Sequence, residues 1–84
     1  MLEKNNMNVA GLIRKLDEIG VPKRYYSING DLLPDTCILN QVYGKWEYFY
    51  FDEKGNKEDY RMFDNESDAC KYMLSMLENE IKYF

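Results

Sequence analysis

Lys45-Trp46-Glu47-Tyr48-Phe49-Tyr50-Phe51-Asp52 is the densest aromatic run of the chain. It predicts a strand, because ring side chains suit a pleated, half-buried surface. Glu53-Lys54-Gly55-Asn56-Lys57 follows as a hairpin loop, with Gly55 or Asn56 supplying a positive φ. The partner strand runs from Glu58 to Phe63. Alternation puts Trp46, Tyr48 and Tyr50 on one face and Glu47, Phe49 and Phe51 on the other. Loop parity chooses what joins them. An odd-length loop sets Tyr50 opposite Tyr60 and Tyr48 opposite Met62, and gathers Glu47, Phe49, Phe51, Asp59 and Arg61 on the second face. An even-length loop instead pairs Phe49 or Phe51 with Tyr60 or Met62. The odd loop is preferred because it collects the charges on one side, where Glu47 and Arg61 become near neighbours. Phe49 and Phe51 then form a partly open aromatic patch rimmed by charge, the composition of an interface, unless loops or the first helix cover them.

On the C-terminal side, Asp64-Asn65-Glu66-Ser67-Asp68 opens a helix. Asn65 is its cap, Asp68 stands at capping-box spacing, and the early acids suit the positive end of the dipole. Ala69, Met73, Met76, Leu77, Ile81 and Phe84 make the apolar stripe, with Cys70 a small buried hydrophobe. On the N-terminal side, Thr36 to Tyr43 reads as a strand that Gly44 separates from the aromatic one. Leu32 to Asp35 is a connection, since Pro34 cannot serve a central ladder. Tyr25 to Ile28 is a short strand closed by Asn29-Gly30-Asp31. A first helix spans Met7 or Asn8 to Ile19, with Val9, Leu12, Ile13, Leu16 and Ile19 recurring every three or four residues. Asn6 or Asn8 caps it, and Gly20-Val21-Pro22 stops it. Residues 1–6 are polar and expected to fray. The expected class is α+β: an N-terminal helix, a three- to four-stranded antiparallel sheet and a C-terminal helix, forming a single domain over 84 residues.

Composition narrows the chemistry. The chain has no histidine, which removes His-based acid/base catalysis, Ser-His and Cys-His pairs and His-ligated metals. Two cysteines without histidine do not complete a zinc site, and no cofactor is expected. Cys37 and Cys70 are expected reduced, because no secretory signal is visible at the N-terminus and a cytoplasmic setting follows. No apolar run approaches a membrane span. Eleven basic residues against fifteen acidic leave a net charge of −4. The basic residues are scattered, so nucleic acid is not an expected partner, and the acidic balance favours basic ones.

The motifs tested fail on spacing. From Asp52 the glycine of a calcium loop falls fourth instead of sixth; from Asp64 the sixth and twelfth positions are Ala69 and Ser75. Asn65-Glu66-Ser67 matches a glycosylation triplet, but a helix cap explains it. Gly44 to Phe51 faintly resembles the stacking strand of RNA-recognition domains, without the strand-helix-strand order that should precede it. No carboxylate pair stands out for glycoside hydrolysis.

From Tyr43 onward the chain resembles the small immunity proteins of bacterial polymorphic-toxin and contact-dependent inhibition systems. The residues that carry the likeness are Trp46-Glu47-Tyr48-Phe49-Tyr50, Glu53-Lys54-Gly55, Tyr60-Arg61-Met62-Phe63 and Asn65 to Leu74. The resemblance implies a cytoplasmic, non-enzymatic protein that binds and neutralises a cognate protein toxin, often a basic nuclease. Glu47, Phe49, Phe51, Asp59 and Arg61 are the partner-binding residues expected on that reading, with aromatics as anchors and carboxylates steering association. The alternative is a regulatory or assembly adaptor acting through homodimerisation or the sheet face. Either a monomer or a homodimer is compatible with the sequence.

Overall fold

The computed structural model describes residues 6–81. The expected fraying of residues 1–6 and the place of Phe84 in the helix stripe lie, apart from Asn6, outside them. In chain order the elements are α1 (Val9–Glu18), a short 3-10 turn (Lys23–Tyr25), β1 (Tyr26–Ile28), β2 (Thr36–Val42), β3 (Lys45–Phe51), β4 (Lys57–Phe63) and α2 (Glu66–Ile81). Tyr25 thus belongs to the turn ahead of β1. The α+β class, the two helices and the four-stranded sheet agree with the sequence.

The helix ends are built from the residues that marked them. The Asn8 side chain accepts a hydrogen bond from the Gly11 N–H at 2.8 Å, capping α1. At the other end, the Val21 N–H donates to the Leu16 carbonyl and the Gly20 N–H to the Asp17 carbonyl. This is a Schellman closure, made possible by Gly20 at φ 87°. For α2, Asn65 Oδ1 accepts from the Asp68 N–H at 2.8 Å, and the Asn65 amide donates to Asp68 Oδ2. The two helix starts are also tied together. The Val9 N–H donates to Glu66 Oε2 at 2.8 Å, and the Met7 N–H to Ser67 Oγ at 3.0 Å. Glu66 therefore places its carboxylate against an otherwise unpaired amide of α1.

The sheet order is β1-β2-β3-β4. The β2–β3 and β3–β4 pairs are antiparallel, but β1 runs parallel to β2. The expectation of a wholly antiparallel sheet is corrected at this edge. A parallel neighbour ordinarily needs a long crossover. Here residues 29–35 make it without a helix. Asn29, at φ 53°, turns the chain while its Oδ1 accepts the Gln41 N–H, extending the ladder by a side chain. Ser27 Oγ donates to the Asp31 carbonyl and Thr36 Oγ1 to the Pro34 carbonyl. Both hydroxyls stand on the sheet face away from the helices, so the connection crosses that face.

Leu12 and Leu16 of α1, Ala69, Cys70, Met73 and Leu77 of α2, Val21, and Leu39, Trp46 and Tyr48 of the sheet form one buried cluster. The Trp46/Tyr48 face is thus the inner face, as alternation allowed. The strongest correction concerns β4. The loop 52–56 is odd, and beyond it Phe51 pairs with Lys57 and Tyr50 with Glu58. A bulge then inserts one residue, Asp59, at φ 55°. From there Tyr48 pairs with Arg61, Glu47 with Met62 and Trp46 with Phe63. The bulge reverses the parity that the odd loop set. Tyr60 and Met62 go to the outer face with Glu47, Phe49 and Phe51, while Arg61 and Asp59 go to the helix side.

Candidate protein-binding surface

The outer face has a rigid aromatic centre. Phe49 is 1% exposed, packed beside Ile38, which is fully buried. The Tyr60 ring stacks on Phe49 with an interplanar angle of 9° and centroids 6.0 Å apart. Phe51 meets Phe49 edge-on at 6.3 Å, and the Lys57 ammonium lies 4.8 Å from the Phe49 centroid. The Tyr60 hydroxyl donates to Glu47 Oε1 at 2.6 Å, which fixes the stacked ring. That carboxylate, as acceptor, holds the Tyr60 hydroxyl proton and raises its pKa.

Of the expected partner-binding residues, the structure therefore brings Glu47, Phe49 and Phe51 together and removes Asp59 and Arg61 to the other face. Phe49 is not an exposed anchor: Tyr60 and Lys57 lie over it. The large apolar side chains that do reach solvent here are Tyr60 and Met62, joined on the crossing connection by Leu32 and Leu33. All four are between 46% and 50% exposed. Sequence reading missed Tyr60 and Met62 because one bulge exchanged them with Asp59 and Arg61.

Asp59 and Arg61 form a clamp between β4 and α2. Asp59 Oδ2 accepts from the Tyr72 hydroxyl at 2.7 Å, and Asp59 Oδ1 pairs with the Arg61 guanidinium at 3.0 Å. The guanidinium also sits 5.7 Å from the Tyr72 centroid. Tyr72 in turn packs edge-on against Tyr48 at 5.0 Å. The clamp thus ties the strained bulge to the core.

At the far end of the sheet, Tyr43-Gly44 joins β2 to β3 as a two-residue turn, with Val42 paired to Lys45. Both turn residues have positive φ, 51° and 81°, the pattern of a type I′ turn. Tyr43 is 101% exposed at the tip. Beside it on the outer-face side, Lys45 Nζ and Asp64 Oδ1 form a 2.7 Å ion pair. The signal was present in the sequence as a tyrosine where this turn favours Asn or Asp before Gly.

Hollows also occur on the helix side. Two adjoining hollows of about 180 and 230 Å³ share Cys37, Tyr50 and Glu80. Both fall below the ~300 Å³ at which ligand pockets usually begin. Burial pushes the Cys37 thiol up, despite the Tyr48 hydroxyl donating to its sulfur at 3.4 Å, and Glu80 and Asp59 push it further. Burial also raises Tyr48, and raises the Cys70 thiol to about 11. Each of these groups is moved away from the neutral range where a nucleophile or general base works. A larger hollow of about 430 Å³ follows the exposed side of α1, past Asn8, Gly11, Arg14 and Glu18. Among the described residues no group of three or more Cys, Asp or Glu side chains could hold a metal ion, and no helix is long and apolar enough to cross a membrane. Comparison with family models, curated proteins and solved structures returns no match.

Proposed function

We propose that the chain is a non-enzymatic binding protein that neutralises a cognate protein toxin, as its resemblance to small immunity proteins implied. The observation that carries this reading is the sheet face that neither helix covers. Tyr60 and Met62 stand half-exposed on it beside the stacked Phe49 and Tyr60 rings, and Leu32 and Leu33 are half-exposed on the connection between β1 and β2. Preorganised rings lose little entropy on docking, which is what an interface core requires.

The rival reading, an adaptor joining copies through the sheet, is weaker at the β4 edge. β4 carries Lys57, Glu58, Asp59 and Arg61 and is bent by the bulge, the devices that keep an edge strand from adding a neighbour.

Co-expression with growth-arresting toxin domains from the source cell tests the proposal. Wild-type protein should restore growth against one of them. A Tyr60→Ser, Met62→Ser double variant should keep its fold and lose the protection. Equal protection by both forms would remove the outer face from the interaction. Failure to protect, with light scattering showing a concentration-dependent mass, would favour the adaptor.

A further inference from the structure

We infer that Tyr43, at the tip of the β2–β3 turn, is an anchor that enters a concave site on the partner protein. The inference rests on the binding reading above and names a residue at the end of that surface. Among the described residues, four other than glycine have positive φ: Asn29, Asp35, Tyr43 and Asp59. Asn and Asp tolerate this region, and each of those three also uses its side chain locally. Asn29 Oδ1 accepts the Gln41 N–H, Asp35 Oδ1 accepts the Tyr50 hydroxyl, and Asp59 holds Tyr72 and Arg61. Tyr43 has neither excuse. Its Cβ makes the left-handed conformation unfavourable, and at 101% exposure its ring gains no packing in return. The fold would be better served by Asn at this position, ahead of Gly44.

A strained residue that the fold does not use points to function. The chemistry of the side chain says which kind. A phenol ring is a large, two-torsion, amphipathic group, the type enriched among interface anchors that fill pockets. A two-residue turn between paired strands holds it at a fixed position, so it suits a cleft in the partner rather than a flat surface. Its neighbours continue the same surface: Lys45 and Asp64 flank the tip, and Glu47 with Met62 begins the outer face. The partner is therefore a protein whose cleft accepts a tyrosine, with a polar rim facing the Lys45–Asp64 pair.

The test separates stability from binding by Tyr43→Asn and Tyr43→Phe. Tyr43→Asn should raise the melting temperature by about 4 °C or more, since it relieves backbone strain. It should also weaken binding to the toxin found in the growth assay by about 30-fold, measured by calorimetry. Tyr43→Phe keeps the ring and the strain, and should bind far better than the Asn variant with an unchanged melting temperature. A Tyr43→Asn variant that is no more stable than wild type would overturn the inference whatever the partner, because the strain would not exist. A more stable variant that binds and protects as wild type does would overturn it while leaving the immunity reading intact. Loss of protection by wild-type protein itself is the separate failure of that reading.

Discussion

Phe49 and Asp59 are the residues whose roles differ most from their sequence reading, and both can be tested singly. Phe49 is buried against Ile38, Tyr60 and Lys57, so Phe49→Ala should leave a cavity and cost about 3–5 kcal/mol by urea denaturation. A cost below about 1 kcal/mol, with binding lost, would restore Phe49 as a surface anchor. Asp59 combines a left-handed backbone with three side-chain contacts to Tyr72 and Arg61. Asp59→Ala and Asp59→Gly both remove the contacts, but only alanine keeps the steric strain. Alanine should be the less stable by about 1 kcal/mol. Equal stabilities would mean that the bulge has relaxed to ordinary φ. A positive φ at an aspartate leaves no mark in a single sequence that a turn or a cap would not also leave. That is why neither role was legible from the residues.

At the scale of elements, most of the fold was legible. The Asn8 cap, the Gly20 Schellman closure and the Asn65–Asp68 cap follow from local rules that act within a few residues, and the limits of β2, β3 and β4 fall within one residue of expectation: Tyr43 and Asp52 leave their strands for turns, and Lys57 joins β4. The element that escaped is the β4 register. Loop length was read correctly as odd, yet one inserted residue turned its consequence over, because side-chain direction alternates with every residue along a strand. The β1 direction also escaped. Antiparallel pairing is the ordinary expectation for short connections, and only the Asn29 turn and the Ser27 and Thr36 hydrogen bonds permit the alternative. The bulge and the charges of β4 together keep its outer edge unpaired. A Lys57→Val, Glu58→Val variant should therefore associate more than wild type at equal concentration, as a larger mass by light scattering. An unchanged mass would assign the protection to the bulge alone.

The molecule as a whole is a sheet with one face under two helices and one face left to a thin connection and its own aromatics. Its pH response belongs to this scale, because the shifted groups sit in different elements around one core. Burial raises the pKa of Cys70 on α2, to about 11, and those of Cys37 on β2 and Tyr48 on β3. Each is an acid held neutral by the fold. The unfolded thiols ionise from their ordinary value of 9.0 upward while the folded ones still hold their protons. Their contribution to stability is complete below that value and is lost as the pH climbs through the folded values. The urea midpoint should accordingly fall between pH 9 and 11. A midpoint that stays level there would show that these groups are not desolvated. Replacing Cys70 with Ala should flatten part of the decline.

What the sequence determined by itself were the features that arise from nearby residues: helix faces from their period, helix ends from capping and glycine, strands from ring-rich alternation, and the exclusion of histidine chemistry. What only the tertiary structure decided was which side chains share a face. Two sheet pairings a residue apart are nearly equivalent locally, and they differ only in what each buries. The packing of Trp46 and Tyr48 under the helices, the Asp59–Arg61–Tyr72 clamp and the Tyr60–Phe49 stack act between residues distant in sequence. Those long-range contacts chose the register, and with it they placed Tyr60 and Met62 on the outer face in place of Asp59 and Arg61.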